Sequence, residues 1–351
     1  MTRRIVDEDG DWSEFTEDAT VSAELDRVKR ERDRLARQLH EVKHRQSDYL
    51  ATVREAVQDS IERIEISSVP SPDRMDFGAE VMVAFLSDLQ TGKITPDYNT
   101  EVCRERVLAY ADKIINLGVD HRIDHLVVPL LGDVIEGCDI FPGQQYLIDS
   151  TLYDQVFNTT PVIIADFLRR LLGGFQTVRV EAVQGNHGRI GRKGQFSGAD
   201  NADKMVYRVV KLLLRDEPRL EFDIADMDGP ESAWHKVVEI GSYSALMFHG
   251  DQVRGHSGIP WYGFQKKVNS WASGGLGPGV TFQDAWCGHF HQLARIPLNQ
   301  RTVWVNGSIE SYNTFAQEQL AGQSEPMQWV LLVDPDKGRV TASYGVHLRE
   351  E

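Results

Sequence analysis

Five apolar runs in this sequence each end in side chains that can bind a metal ion. "VMVAFLSDLQ" (81–90) ends in Asp88 and Gln90, and "DHLVVPLLGD" (124–133) in Asp133. "QTVRVEAVQGNH" (176–187) ends in Asn186 and His187, "SYSALMFHGD" (242–251) in His249 and Asp251, and "AWCGHFH" (285–291) in His289 and His291. Carboxylates, amide oxygens and neutral imidazoles are the common protein ligands of divalent ions. Glycines beside most of these residues let the backbone turn sharply and approach a ligand closely. Taken singly, each residue reads as well another way. An Asp after a strand is a turn former or helix cap, and an Asn-His pair is a surface turn. Five in succession point to one site, because the carboxyl ends of strands in an open α/β sheet line the crevice where ligands bind. His289 and His291 are two apart, and in an extended strand such residues project from one face. They are therefore expected to share a strand face.

The order of these motifs resembles the calcineurin-like metallophosphoesterase superfamily. Its pattern is D-x-H, G-D-x-x, G-N-H-[DE], a lone H, then G-H-x-H. Here it reads Asp88-Leu89-Gln90, Gly132-Asp133, Gly185-Asn186-His187, His249 and Gly288-His289-Phe290-His291. The resemblance runs from residue 81 to about 340. It implies a metallophosphoesterase-type α/β fold, a two-sheet β-sandwich flanked by helices, and a pair of divalent ions. Asp88, Gln90, Asp133 and His291 would hold one ion. Asp133, Asn186, His249 and His289 would hold the other, with Asp133 bridging. Such a pair would clamp an in-line displacement at phosphorus, and a water shared between the ions would act as the hydroxide nucleophile. His187 would stand off the ions and protonate or orient the leaving oxygen.

Two positions depart from the pattern. Gln90 replaces the usual His, and its amide oxygen favours Mn²⁺ or Mg²⁺, with Fe²⁺ and Zn²⁺ as the other candidates. Gly188 stands where an acidic residue often follows the His, so support for His187 must come from elsewhere. Arg189 comes next, either a fork donor to phosphate or a solvated loop residue. Segment 252–280 interleaves Arg254, His256, Lys266 and Lys267 with Trp261, Tyr262, Phe264 and Trp271. It reads as a nucleotide grip through stacking and phosphate contact, or as an amphipathic helix with its aromatics in the core. Arg189, Arg254 and His256 are the candidate substrate contacts. "GDVIEGCD" lacks the arginine of the protein-phosphatase branches, and the run of "GDxx", "GNH", "HG" and "GHFH…VNGS" looks more like the nuclease and phosphodiesterase branches. The implied activity is hydrolysis of a phosphodiester, with a nuclease as its specific form. A phosphomonoesterase, or a scaffold that uses the fold as a binding module, are the alternatives.

The elements that must position these residues follow from periodicity. The five runs are strands. "EVCRERVLAYADKIINLG" is an amphipathic helix, "DQVFNTTPVIIADFLRRLLGG" is helical from Pro161 or earlier, and "NADKMVYRVVKLLLRD" is a helix. "HKVVEIGSYSALMFHG" and "MQWVLLVDPDKGRVTASYGVHL" read as hairpins. Upstream the pattern changes. Val21, Val28, Leu35, Val42 and Tyr49 fall seven apart, Leu25, Leu39 and Val53 fill the alternate seam, and Arg32 and Gln46 interrupt it. This predicts a coiled-coil helix over 19–66, either a homodimer or partner-helix seam through 21–53 or one long helix on its own body. Residues 1–18 read as a disordered acidic tail, 67–80 as a linker, and 81–351 as the metallophosphoesterase domain.

Composition excludes some classes. The chain has 351 residues, 41% hydrophobic and 26% charged, with a formal net charge of −15. That charge argues against a basic field gripping long nucleic acid. An oligonucleotide or a nucleotide remains compatible, since bound cations reverse the local field. Three dispersed cysteines without C-x-x-C fit a reducing compartment. The opening residues lack the apolar stretch of a secretory signal, and no run reaches membrane-spanning length. The expectation is a cytoplasmic protein with no membrane association.

Overall fold

The computed structural model describes residues 24–38, 69–72, 78–191, 196, 198, 200–225, 234–254, 258–311 and 325–349. The chain divides after Ser60 into two units. In the first, helix α1 spans 24–38. Its heptad residues Leu25, Val28 and Leu35 are 54%, 61% and 59% exposed, so this face is left uncovered. The expected acidic tail, the remainder of the 19–66 helix and residues 67–68 and 73–77 of the expected linker lie outside the described residues.

The second unit runs in the order β1 (Val81–Ala84), α2 (Thr100–Asp120), β2 (His125–Leu130), α3 (Thr160–Leu172), β3 (Thr177–Ala182), α4 (Ala202–Leu213), β4 (Leu220–Ile224), β5 (His235–Ile240), β6 (Tyr243–Phe248), α5 (Trp261–Ser270), β7 (Asp284–Cys287), β8 (Ala294–Leu298), β9 (Arg301–Val305), β10 (Met327–Asp334) and β11 (Arg339–His347). Two sheets result. One has the order β11-β10-β1-β2-β3-β4 and the other β5-β6-β7-β9-β8. Strands β1 to β4 are parallel, joined by crossovers that carry α2, α3 and α4. Strand β10 adds antiparallel to β1 and pairs with β11. In the second sheet β6, β7 and β9 are parallel, with antiparallel β5 and β8 at its edges.

Alternation along the strands explains the layering. Met82 and Ala84 of β1 face the cluster built with α2, α3 and α4. Val83 and the following Phe85 face the second sheet, where they pack with Leu131, Met247, Trp286 and Trp304. The outer face of the second sheet is covered by α5 and the turn that continues it, through Phe264, Val268 and Trp271. These three lie at i, i+4 and i+7, one helical stripe. The architecture is the expected two-sheet sandwich with helices on both outer faces. Strand β4 ("LEFDI") was not evident in the sequence. It is an edge strand, and its Glu221 and Asp223 break the apolar run that marks interior strands while protecting the edge. Among the described residues no helix is long and apolar enough to cross a membrane.

Candidate metal centre

The carboxyl ends of β1, β2, β3, β6 and β7 open onto one rim, and the loops leaving them are bonded to one another. Asp88 and Gln90 donate their amides to Gly132 and Asp133 carbonyls at 3.1 and 3.0 Å, and Gly288 donates to His249 at 2.8 Å. Asp88, Gln90, Asp133, His289 and His291 all adopt left-handed backbone conformations, with φ of 53°, 46°, 51°, 73° and 55°. Such conformations cost on the order of 1–3 kcal/mol each outside glycine and cluster at functional sites. They correct one expectation. His289 and His291 do not lie on a strand face, because β7 ends at Cys287. A pair of left-handed turns, not strand alternation, aims the two rings, His289 Nδ1 toward His249 Nε2 at 3.2 Å and His291 Nε2 toward Asp88 Oδ1 at 3.3 Å.

One half of the rim is formed by Asp133, Asn186, His249 and His289. His249 Nε2 lies 3.0 Å from Asp133 Oδ2, 3.1 Å from Asn186 Oδ1 and 3.2 Å from His289 Nδ1. Ligand atoms of Asp133, His249 and His289 all fall within 4.8 Å of one another. Atoms that bind one ion at about 2.0–2.2 Å are spaced by about 3 Å, so this half fits a divalent metal. His249 is fully buried, and its Nδ1 is held by the Leu131 carbonyl at 2.7 Å, which presents Nε2 to the centre.

The other half brings together Asp88, Gln90 and His291. His291 Nε2 lies 3.3 Å from Asp88 Oδ1, and its Nδ1 is bonded to Glu310 Oε1 at 2.6 Å. A carboxylate behind a ligand histidine fixes its ring and tautomer. Gln90 departs from the expected geometry. Its carbonyl oxygen accepts from Lys93 Nζ at 2.8 Å, and its amide nitrogen is the atom 3.3 Å from His291 Nε2. An ammonium can only donate, so Lys93 fixes which end of the amide faces the site.

His187 stands beside the first half. Its backbone amide donates to Asp133 Oδ1 at 2.7 Å. Its Nδ1 lies 2.9 Å from the Glu136 carbonyl and 3.4 Å from the Glu136 carboxylate. Glu136 is thus the support that Gly188 does not supply. Gly188 itself has a steric reason. A Cβ there would sit 2.3 Å from Asn201 Oδ1 and 2.8 Å from the Asp203 amide. Asn201 caps α4 through the Asp203 amide at 2.9 Å and holds the Gly185 carbonyl at 3.0 Å. Asp203 in turn accepts from the amides of Asp133 and Gly185, both at 2.8 Å, and so clamps two ligand loops together.

The cluster has a strong demand for positive charge. Burial pulls the His249 pKa down, but the charge and hydrogen bond of Asp133 more than reverse this, to about 10. At His291 burial is likewise outweighed, chiefly by Glu310, and the value rises to about 10. At His187 burial is outweighed by Asp133 and Glu136, giving about 9. Burial opposes ionisation of Asp133, yet His249 and His187 hold it well below the usual carboxylate range. Burial and the His249 charge push His289 down to about 4, so its ring is neutral and free to ligate. Burial and the neighbouring Asp133 charge raise Asp203 to about 6. Without an ion the imidazoles take protons to satisfy the buried carboxylates. A divalent ion would displace those protons.

The candidate substrate contacts are less well placed. Arg189 is half-buried in the turn after His187, and its Nε has no hydrogen-bond partner among the described residues. Arg254 is exposed between β6 and α5, and His256 lies outside the described residues. Phe264 of α5 and Trp271 just after it are core residues as the helical reading predicts, whereas Trp261 and Tyr262 are 55% and 78% exposed. Phe264 meets Phe290 at 5.4 Å between ring centroids, which connects α5 to the residue next to His289. Sequence reading missed Glu136, Asp203, Glu310 and Lys93. Glu136 had a signal, a carboxylate three residues after Asp133 in "GDVIEG".

No family model and no curated protein matches the sequence. Solved structures similar to the chain include an archaeal phosphodiesterase, at 12% identity and a TM-score of 0.36, covering 76% of this chain and 99% of that one. A predicted phosphoesterase from Streptococcus pneumoniae TIGR4 is 15% identical with a TM-score of 0.32, covering 78% and 99%. Zinc-complexed Vps29 from Entamoeba histolytica is 15% identical with a TM-score of 0.35, covering 76% and 99%. The chain's own resemblance to the calcineurin-like metallophosphoesterases stands on residues and their placement, with Asp88, Asp133, Asn186, His187, His249, His289 and His291 gathered at one rim of a two-sheet α/β fold.

Proposed function

We propose that this chain is a divalent-metal-dependent phosphoesterase that hydrolyses phosphodiesters, with nucleotides or short nucleic acids as its substrates. The observation that carries this reading is the convergence of His249 Nε2 on Asp133, Asn186 and His289 at 3.0–3.2 Å, with His187 on the adjoining turn. Asp133, Asn186, His249 and His289 would hold the ion, Mn²⁺ foremost, with Mg²⁺, Fe²⁺ and Zn²⁺ as the other candidates. A divalent ion there supplies Lewis-acid stabilisation of charge on a phosphoryl oxygen. Asp133 would link the ion-binding residues to the acid, since it meets His249 through one oxygen and the His187 amide through the other. His187 keeps Nδ1 on the Glu136 carbonyl, which leaves Nε2–H as the proton it delivers to the leaving oxygen. Arg189, on the same turn, receives the phosphate. The uncovered heptad face of α1 pairs with a second copy of the chain.

The test is hydrolysis of bis-p-nitrophenyl phosphate and p-nitrophenyl phosphate with Mn²⁺ and with chelator. Mn²⁺-dependent diester cleavage is expected, abolished in Asp133→Asn and lowered by about 10²–10⁴ in His187→Ala. Cleavage of the monoester alone would replace this reading with a phosphatase. Activity that survives both substitutions unchanged would overturn it.

A further inference from the structure

The Asp88 half of the rim carries a feature that a two-ion site does not require. Four side chains close a ring. Lys93 Nζ donates to Gln90 Oε1 at 2.8 Å, Gln90 Nε2 lies 3.3 Å from His291 Nε2, His291 Nδ1 bonds Glu310 Oε1 at 2.6 Å, and the Glu310 carboxylate pairs back with Lys93. Lys93 is well shielded, with its side chain 12% exposed, and Glu310 is buried. The ring directs both polar atoms of Gln90 away from metal binding. Its oxygen is spent on the ammonium, and what faces His291 is an NH₂ group, which cannot ligate a cation.

Turning the amide over would not repair the site, because it would set the NH₂ against the Lys93 ammonium. Even an ion held by the Gln90 oxygen would stand within about 5 Å of that ammonium, two cations facing each other in a shielded place. The remaining donors are too few. Among the described residues, the group of three or more His, Cys, Asp or Glu side chains whose ligand atoms converge is Asp133, His249 and His289, and neither Asp88 nor His291 joins it. The Asp133 oxygen not bonded to His249 is engaged by the His187 amide at 2.7 Å.

We propose that Lys93 stands in for the second ion, so that the chain binds a single divalent metal, on Asp133, Asn186, His249 and His289. The positive charge that a second ion would bring is built into the fold as an ammonium, held by Gln90 and Glu310, which both meet His291, the ring 3.3 Å from Asp88. The Gln at position 90 and the Lys at position 93 are then one device: the amide is the longer, neutral bridge that carries the ammonium to the His291 edge. This inference rests on the metal-dependent reading above.

The experiment counts ions. Protein stripped with chelator is titrated with Mn²⁺, and binding is followed by calorimetry, by elemental analysis after desalting, and by electron paramagnetic resonance. The expected result is one Mn²⁺ per chain with the spectrum of an isolated ion, and any second ion at least about a hundredfold weaker. The double variant Gln90→His with Lys93→Met is expected to take up two and to show a spin-coupled pair. Two tightly bound ions in the unmodified chain would overturn the inference and leave the phosphoesterase reading intact. No bound ion would overturn both. A double variant that folds, by its thermal transition, and still binds only one ion would show that Gln90 and Lys93 are not what closes the second site. Should that variant not fold, the count and the spectrum of the unmodified chain decide alone.

Discussion

Gly188→Asp would bring the third motif closer to the metallophosphoesterase pattern, yet the structure predicts that it damages the protein. The new Cβ would stand 2.3 Å from Asn201 Oδ1 and 2.8 Å from the Asp203 amide. Neither neighbour is the free end of a flexible chain. Asn201 has to withdraw, and two interactions go with it. The first is the cap on α4, the 2.9 Å bond to the Asp203 amide, worth about 1 kcal/mol. The second is the 3.0 Å bond from Asn201 to the Gly185 carbonyl, and a buried carbonyl left without its partner costs about 1–3 kcal/mol. The sum is about 2–4 kcal/mol, a large share of the roughly 5–15 kcal/mol that holds a domain together. At about 2–3 °C per kcal/mol for a unit of this size, Tm should fall by about 4–12 °C. Because the offending atom is Cβ, Gly188→Ala should lose nearly as much, and that control separates sterics from charge. Diester hydrolysis should fall in step, since Asp203, next in line, clamps the Asp133 and Gly185 amides. The measurements are scanning calorimetry and kcat/KM for both variants. If Gly188→Asp melts within 1 °C of the unmodified protein, or hydrolyses faster, then position 188 has room for an acid and Glu136 is not a substitute for it.

Three further outcomes follow from the same geometry. Glu136→Gln keeps the backbone carbonyl on His187 Nδ1 but removes the carboxylate 3.4 Å away, so the His187 pKa should drop from about 9, read by NMR on metal-free protein; an unmoved value would show that Asp133 alone sets it. In metal-free protein His187, His249 and His291 carry raised values of about 9, 10 and 10. The stability from their protonation is complete below pH ~6.5 and lost as pH climbs through those values. With chelator Tm should therefore decline from pH 7 to 10, and a flat or rising Tm over that range would contradict it. Leu35→Glu places a charge on the uncovered α1 face, where Leu35 is 59% exposed, and should turn a dimer into a monomer by sedimentation equilibrium; a chain that is monomeric before the change refutes the pairing.

Much of the architecture was legible because its signals are local. An apolar run with a ligand-type residue at its end shows both a strand and the edge where it stops, and β1, β2, β3, β6 and β7 could each be read that way. Strand β4 could not, since an edge strand with alternate acids carries no such run. The site was legible as a set of residues and illegible as a geometry. His289 and His291 were expected to share a face by strand alternation. Instead φ of 73° and 55° turns them, and no local pattern announces a left-handed residue that is not glycine. The supporting side chains lie further off in the chain. Glu310 is a carboxylate after β9, and Asp203 looks like an ordinary first-turn acid of α4. Their roles exist only once remote segments meet. The two departures from the motif pattern make the same point from the opposite direction. Read singly, Gln90 is a poorer ligand and Gly188 a missing support, and both suggest decay. In the fold each has a counterpart. Gln90 is matched by Lys93, and Gly188 by Glu136 on one side and the Asn201 cap on the other. Gln90, with Lys93 fitted to it at hydrogen-bond distance and shielded from solvent, is what the proposed single-ion site would contain. A site that had simply lost its use would have no reason to hold an ammonium in register with Gln90 and Glu310.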